Sequence, residues 1–331
     1  MPDRPLDVLA IGNAIVDVIA DADDDFLARE GMAKGAMRLI DQAEAVRLYE
    51  AMGPGREASG GSAANTVAGL ASLGLNAAFV GQLGLDQLGE IFTHDIRSLG
   101  VRFDTAASVE VGATARCLIL VTPDAQRTMN TFLGAAQMLG PNAVDAEQVA
   151  AAKILYLEGY LWDPEAPRRA MMKAMEAARA ADTKVAFSLS DSFVVDRHRR
   201  ELWQLLEDKR VDILFANEAE IMSLALHESA DEAGLAVAAH VPTVVVTCSA
   251  QGAFALSDGE KTSVSAEPIE RLVDTTGAGD LFAAGFLAGQ ARSLGIEASL
   301  KLGAICAAEV IQHYGARPEA ELKQLASQEM A

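Results

Sequence analysis

Short, nearly continuous apolar runs alternating with helical patterns constrain this chain more than any other feature. The runs are Val8–Gly12, Ala77–Leu83, Ile154–Glu158, Lys184–Leu189, Asp212–Phe215 and Thr243–Thr247. Among them lie Ala63–Leu73, Glu165–Ala181, His198–Lys209 and Asp231–Ala239, where apolar residues recur at helical spacing. A strand that is apolar on both faces must be covered on both faces, and strands alternating with helices pair in parallel. The expected fold class is therefore α/β: a doubly wound, mostly parallel sheet with helices on both faces. Half of the 331 residues are apolar, enough for a large core.

Two regions break the rhythm. Ile15 to Ile40 starts extended, passes the acidic run Asp21, Asp23, Asp24 and Asp25, and then alternates around glycines. Val101 to Phe132 reads as several strands, with Thr114–Thr122 and Arg127–Phe132 flanking a Pro123-Asp124 turn. Hairpins inserted between βα units predict a small projecting sheet, formed by about 14–40 and 101–132, on a single domain spanning 1–331. The acidic run is read as a solvated face. Towards the end, Asp280–Leu294 is apolar nearly all round, which predicts a buried helix. Ile296–His313 carries Gly303, Ala304, Ala307 and Ala308, a surface for close packing or for a planar base, and Gly315 is placed to end that helix.

Composition narrows the function. A formal charge of −20 leaves no basic stripe to neutralise a phosphate backbone, so nucleic acid is not an expected partner, and neither is an anionic membrane. Cys117, Cys248 and Cys306 are few, odd in number and far apart, which points to a reducing cytoplasm rather than a disulfide framework. The histidines show no zinc-ligand spacing. No run approaches the length of a membrane span, and Met1 to Asp7 is polar.

Three glycine-marked segments carry the chemistry. In Asp274-Thr275-Thr276-Gly277-Ala278-Gly279-Asp280 the small residues open directly into a helix. They let an anion approach the main chain, where a first helical turn has unpaired N–H donors. Asp280 in that turn could accept the proton of an attacking hydroxyl. Taken alone, the segment reads equally well as a loop with an acidic residue favouring the helix dipole. Gly60-Gly61-Ser62-Ala63-Ala64-Asn65 also leads into a helix, and Asn65 offers a donor and an acceptor to adjacent hydroxyls. Gly12-Asn13-Ala14-Ile15-Val16-Asp17 follows the first strand, at the carboxyl end where open α/β sheets bind ligands. The Asp17 carboxylate would suit a ribose diol. Neither G-x-x-x-x-G-K-[ST] nor G-x-G-x-x-G occurs, which removes the commonest competing uses of a glycine turn.

With these segments in this order, the sequence resembles the ribokinase-like (PfkB) family of carbohydrate and nucleoside kinases over essentially its whole length. Gly81…Gly84…Asp86…Gly89 and Asn217-Glu218-Ala219-Glu220 fit further patterns of that family. The resemblance implies a ribokinase-like domain whose small β-sheet closes as a lid, and transfer of a phosphoryl group from ATP with magnesium. It places the acceptor on Asn13, Asp17, Gly60, Gly61 and Asn65. Gly277, Ala278 and Gly279 would form the anion hole, with Asp280 the base. Asn217, Thr247 and Gly252 would line the ATP site, and Glu220 would act on magnesium, through water. Ser249 stands where the family commonly has glycine. Arg127 is either a surface residue or one that reaches the phosphates. Tyr160 is either a core residue or the wall of a base. Several members depend on a monovalent cation near Asp274, so potassium is a candidate cofactor. Within the family the chain looks most like the branch that converts adenosine to its 5′-monophosphate. A free sugar such as ribose, fructose or a 2-keto-3-deoxy acid is the alternative acceptor, and a non-catalytic ligand-binding protein ranks below both. Oligomeric state is not legible.

Overall fold

The computed structural model describes residues 4–124 and 126–329. Residues 1–3 of the polar start, and Ala125 inside the expected 101–132 segment, lie outside them. Nine strands form the large sheet, in the order β14 (Glu260–Val264), β13 (Ala253–Ser257), β12 (Thr243–Thr247), β11 (Ile213–Asn217), β10 (Lys184–Ser188), β9 (Ala152–Glu158), β1 (Leu6–Ile11), β5 (Ala77–Val80) and β6 (Arg102–Phe103). All pairings from β12 to β6 are parallel, and β13 and β14 add an antiparallel edge. The doubly wound architecture read from the sequence is the one found.

Alternate residues of the central strands feed different cores. Val8 and Ala10 of β1 join one apolar cluster, Leu9 and Ile11 the other. Val245 of β12 likewise opposes Val244 and Val246. This is why these strands read as unbroken apolar runs: neither face meets water. One cluster is covered by α3 (Ser62–Ser72), α10 (Ala278–Ala291), α11 (Ile296–Val310) and α12 (Leu322–Glu329). The other is covered by α6 (Glu165–Ala181), α7 (Ser192–Glu207), α8 (Glu218–Ala225), α9 (Ala230–Ala238) and the short α5 (Ala146–Ala150). Helix α7 starts six residues before the expected His198, whose backbone instead breaks the helical geometry with φ −119°.

The small sheet has the order β3 (Met37–Leu39), β8 (Arg127–Phe132), β7 (Ala115–Val121), β2 (Ile15–Asp21) and β4 (Gly55–Gly60). Its composition differs from the sequence expectation in two ways. Arg102–Phe103 pairs with β5 in the large sheet, and Gly55–Gly60, too rich in glycine and charge to read as a strand, pairs antiparallel with β2. The helices α1 (Asp24–Arg29), α2 (Gln42–Ala51) and α4 (Gln87–Ser98) accompany it. The acidic run is solvated or used in capping: Asp23 accepts from the Phe26 amide at 2.7 Å, and Asp24 and Asp25 are exposed in the first turn of α1.

Helix α10 is walled on nearly every side, with Leu281 through Ala284 and Phe286 through Ala288 buried. Its close packing on α11 uses the small residues: a Cβ on Gly285 would lie 2.4 Å from the Leu302 carbonyl oxygen, and Gly303 sits against the Phe282 ring. Helix α11 ends at Val310, before the expected His313, and Gly315 lies beyond it in a loop with φ +96°.

Candidate active site

The carboxyl ends of the parallel strands converge on one edge of the large sheet. Asn13 follows β1, Glu158 ends β9, and Asn217 and Thr247 are register partners ending β11 and β12. Asp280 enters this edge from the first turn of α10. Its N-cap, Gly277, has φ +82°, and a Cβ there would strike Ala316 at 2.6 Å, so the turn needs glycine. The Ala278 amide is used within the turn, donating to the Thr275 carbonyl. Among the described residues the Gly277, Gly279 and Asp280 amides donate to no protein acceptor, so three main-chain donors and the helix dipole remain for an anion.

The Asp280 carboxylate meets the other glycine segment. Ser62 Oγ donates to Oδ1 at 2.6 Å and Asn65 Nδ2 donates to Oδ2 at 2.9 Å. Burial raises the Asp280 pKa, against these two hydrogen bonds and the charge of Arg317. A raised pKa makes it a stronger base than an ordinary aspartate, while each oxygen keeps a free lone pair. Gly61 has φ +99° and Gly60 lies against the Asp17 carboxylate, 2.5 Å from where a Cβ would stand. Asp17 itself, on β2, is pushed up to about 6 by burial, with Arg127 and Arg317 opposing and Asp280 adding to the rise. Asn13, Asp17, Gly60, Gly61, Asn65 and Asp280 are thus brought together from separate segments.

Two residues that the sequence reading missed organise this cluster. Glu158 is fully buried and accepts from the Asn13 amide, Asn13 Nδ2 and the Ala63 amide, each at 2.7 Å. It ties the end of β1 to the start of α3, and burial pushes its pKa up to about 7. The signal was its place, a lone carboxylate closing an apolar strand. Arg317, in the loop after α11, donates to the Ser59 and Ala64 carbonyls and to Ser59 Oγ. Desolvation lowers its pKa to about 10 although Asp17 and Asp280 favour its charge. No motif pointed to it.

The residues expected to face the nucleotide fall elsewhere on the same edge. Asn217 and Glu220 form a capping box: Asn217 donates through its amide and Nδ2 to Glu220, and the Glu220 amide donates back to Asn217 Oδ1 at 2.9 Å. Burial pushes the Glu220 pKa up to about 7. Each Glu220 oxygen accepts one bond, so each retains capacity for water. Among the described residues no three His, Cys, Asp or Glu side chains gather as a metal cage; magnesium carried by phosphates and reached through water fits this donor set. Gly252 has φ +95°, and Ser249 has φ +50°, the left-handed region that explains glycine as the common family choice there.

Arg127 and Tyr160 are the residues for which the sequence left two readings. Arg127 is not on the surface: its side chain is 9% exposed and pairs with Asp274, with a further bond to Thr276 Oγ1 at 3.2 Å. Tyr160 is not in the core: it is 39% exposed in the turn after β9, facing Asp191, Asp280, Glu220 and Glu158, whose charges add to burial in raising its pKa. The Gly81…Gly89 segment touches the cluster only at Gly81, where a Cβ would lie 2.9 Å from the Gly12 carbonyl oxygen, and otherwise lies beside it. There Asp86 caps α4 and accepts from the amide and hydroxyl of Thr114, joining α4 to the strand that enters the small sheet. The three thiols are free and raised by burial, to about 12, 11 and 12 for Cys117, Cys248 and Cys306.

A buried carboxylate of raised pKa and unpaired helix amides beside a set of polar side chains, on the rim of a doubly wound sheet, are the groups that a phosphotransferase with an alcohol acceptor calls for. The model of the pfkB family carbohydrate kinases matches residues 7–322, and the chain belongs to that family. Adenosine kinase from Sinorhizobium meliloti is 48% identical, with a TM-score of 0.90 over 98% of this chain and 99% of that one. A probable sugar kinase from Rhizobium etli is 47% identical, with a TM-score of 0.91 over 98% of both chains. The adenosine kinase of Saccharomyces cerevisiae is 26% identical over 93% of this chain and 95% of its own length. The protein is therefore a sugar or nucleoside kinase, of a family that uses ATP with magnesium. No helix among the described residues is long and apolar enough to cross a membrane.

Proposed function

We propose that this kinase transfers the γ-phosphoryl group of ATP to the 5′-hydroxyl of a ribonucleoside, adenosine, to give AMP. The observation that carries the choice is the face the small sheet turns to the cluster. Register puts Asp17, Ile19, Cys117, Ile119, Arg127, Met129 and Thr131 on one face. Around Asp17, the carboxylate that would hold the ribose diol, most of these positions are apolar, with Ile19 and Met129 half-buried and the charged Asp21 and Arg56 at the outer end of the same face. Tyr160 adds a partly exposed ring from the turn after β9. A flat heterocycle fits an apolar slot, whereas a free sugar would leave it unfilled.

In this reading Asp17 and Asn65 bind the acceptor hydroxyls, and Asn13 shapes the loop from its bond to Glu158. The 5′-hydroxyl approaches Asp280, which accepts its proton as the oxygen attacks phosphorus. Charge spreads over the γ-phosphoryl oxygens in the transition state, and the Gly279 and Asp280 amides stabilise it there. Magnesium, when bound with ATP, neutralises part of the phosphate charge, with Glu220 holding one of its waters. The small sheet acts as the lid that excludes water from this transfer.

A free sugar remains the second reading, favoured by the likeness to the probable sugar kinase. The deciding experiment is ATP-dependent phosphorylation across adenosine, other nucleosides, ribose, fructose and a 2-keto-3-deoxy acid. Adenosine should give the highest kcat/KM and a product identical to AMP. A free sugar turned over more efficiently would replace the nucleoside assignment.

A further inference from the structure

We propose that Arg127 supplies, from the small sheet, the cation that Asp274 requires, so that this kinase turns over without a monovalent metal ion. The inference holds for a nucleoside or a sugar acceptor alike and rests only on the kinase class. Asp274 lies just ahead of the anion-binding turn, and its side chain is 5% exposed. Oδ1 accepts from the Thr276 amide at 3.0 Å and from Thr276 Oγ1 at 2.7 Å. Oδ2 accepts from the Gly315 amide at 3.0 Å and from Arg127 Nη1. A carboxylate has about four lone-pair positions, and here all are taken. The Thr276 hydroxyl closes the ring, donating to Asp274 and accepting from Arg127.

A resident potassium ion does not fit this set. The Asp274 carboxylate offers it no free lone pair, and it would stand beside a buried guanidinium of like charge. The charge requirement at Asp274 is already met by an organic cation. That cation comes from β8 in the small sheet, whereas Asp274, Thr276 and Gly315 belong to the loops that shape the Gly277–Asp280 turn. The pair therefore does two things at once: it neutralises a carboxylate next to the phosphate site, and it fastens the small sheet to the turn. Arg127 Nε is buried and has no partner, so the guanidinium is held from one side alone. Arg127 is a positioning residue in this account, acting through Asp274.

The test compares potassium with tetramethylammonium at equal ionic strength, by turnover with ATP and magnesium and by the thermal midpoint of the ligand-free protein. For the unaltered chain the two salts should agree, within about twofold in kcat and with no shift of the midpoint. Arg127→Ala leaves a buried carboxylate unpaired, so turnover in tetramethylammonium should fall on the order of 10²-fold. Low concentrations of potassium or free guanidinium should then restore turnover and raise the midpoint. Saturable potassium activation of the unaltered chain, or a potassium-specific rise in its midpoint, would overturn the proposal. So would an Arg127→Ala protein indifferent to both cations. If that variant does not fold, the two measurements on the unaltered chain still decide. The thermal readout needs no catalysis, so it stands apart from any failure to find the acceptor.

Discussion

Glu158 is where the energetics of this site are most open to measurement. Opposing effects act on its carboxylate: complete burial and, less, the Asp280 charge raise its pKa, and three donated hydrogen bonds lower it, with burial the largest. The result is a rise from an ordinary 4.5 to about 7. In that window the folded chain binds a proton that the unfolded chain does not. Its stabilising contribution is therefore fully present below the unfolded pKa and is lost as pH rises through the folded one. Integrating that difference gives a loss of about 2 kcal/mol between about pH 5.5 and pH 8. Glu158→Gln removes the ionisation. It keeps one acceptor for the two Asn13 donors but turns an amide donor towards the Ala63 N–H, a conflict costing about 1–3 kcal/mol at any pH. Urea unfolding of both proteins across this range should show the parent gaining about 2 kcal/mol more than the variant on acidification. Asp17 and Glu220 are common to both and cancel in the comparison. Parallel profiles would refute the reasoning, and a difference of opposite sign would mean that the hydrogen bonds outweigh burial.

Asp280→Asn should keep the fold and leave the acceptor KM nearly unchanged. Its kcat should fall by about 10²–10⁴, the usual worth of a general base, and a loss below about tenfold in steady-state assays would remove Asp280 from that role. In the proposed reading Asp17 binds hydroxyls as an ionised group, and its pKa is pushed up to about 6. Acceptor kcat/KM should therefore fall as pH drops through about 6, while Asp17→Asn should raise KM and flatten that acid limb in a pH–rate profile; an unchanged limb in the variant would assign it to another group.

The sequence disclosed the parts of this molecule whose physics is local. Continuous apolar strands are required wherever both faces are buried, so β1, β9, β10, β11 and β12 were legible. The edge hairpin of β13 and β14 was not, because Glu260–Val264 is polar and charged, as suits a strand that must not recruit another. β4 was hidden for a related reason: its residues GREASG have little strand preference, and pairing with β2 imposes the conformation. In the site, the glycine turns announced themselves because positive φ and close approach leave few alternatives. Glu158 and Arg317 did not, since a buried charge is recognised by partners distant in sequence. Glu158 reaches 145 residues back to Asn13 and Arg317 reaches 258 back to Ser59. Tyr160 shows the same limit: the sequence left a core position and a base wall both open, and its 39% exposure in the turn after β9 excludes the core.

The helix bearing Asp280 is wedged among α3, α11 and the large sheet, and its close-packed glycines leave it no room to slide. In the proposed reading, whatever adjustment aligns alcohol and phosphorus has to be made by the mobile reactants and by the strands of the small sheet. Such a molecule keeps its reactive end invariant and its recognising end adaptable. A change of acceptor could then be accommodated by re-facing Ile19, Met129 and their neighbours, leaving the geometry of the phosphoryl transfer intact.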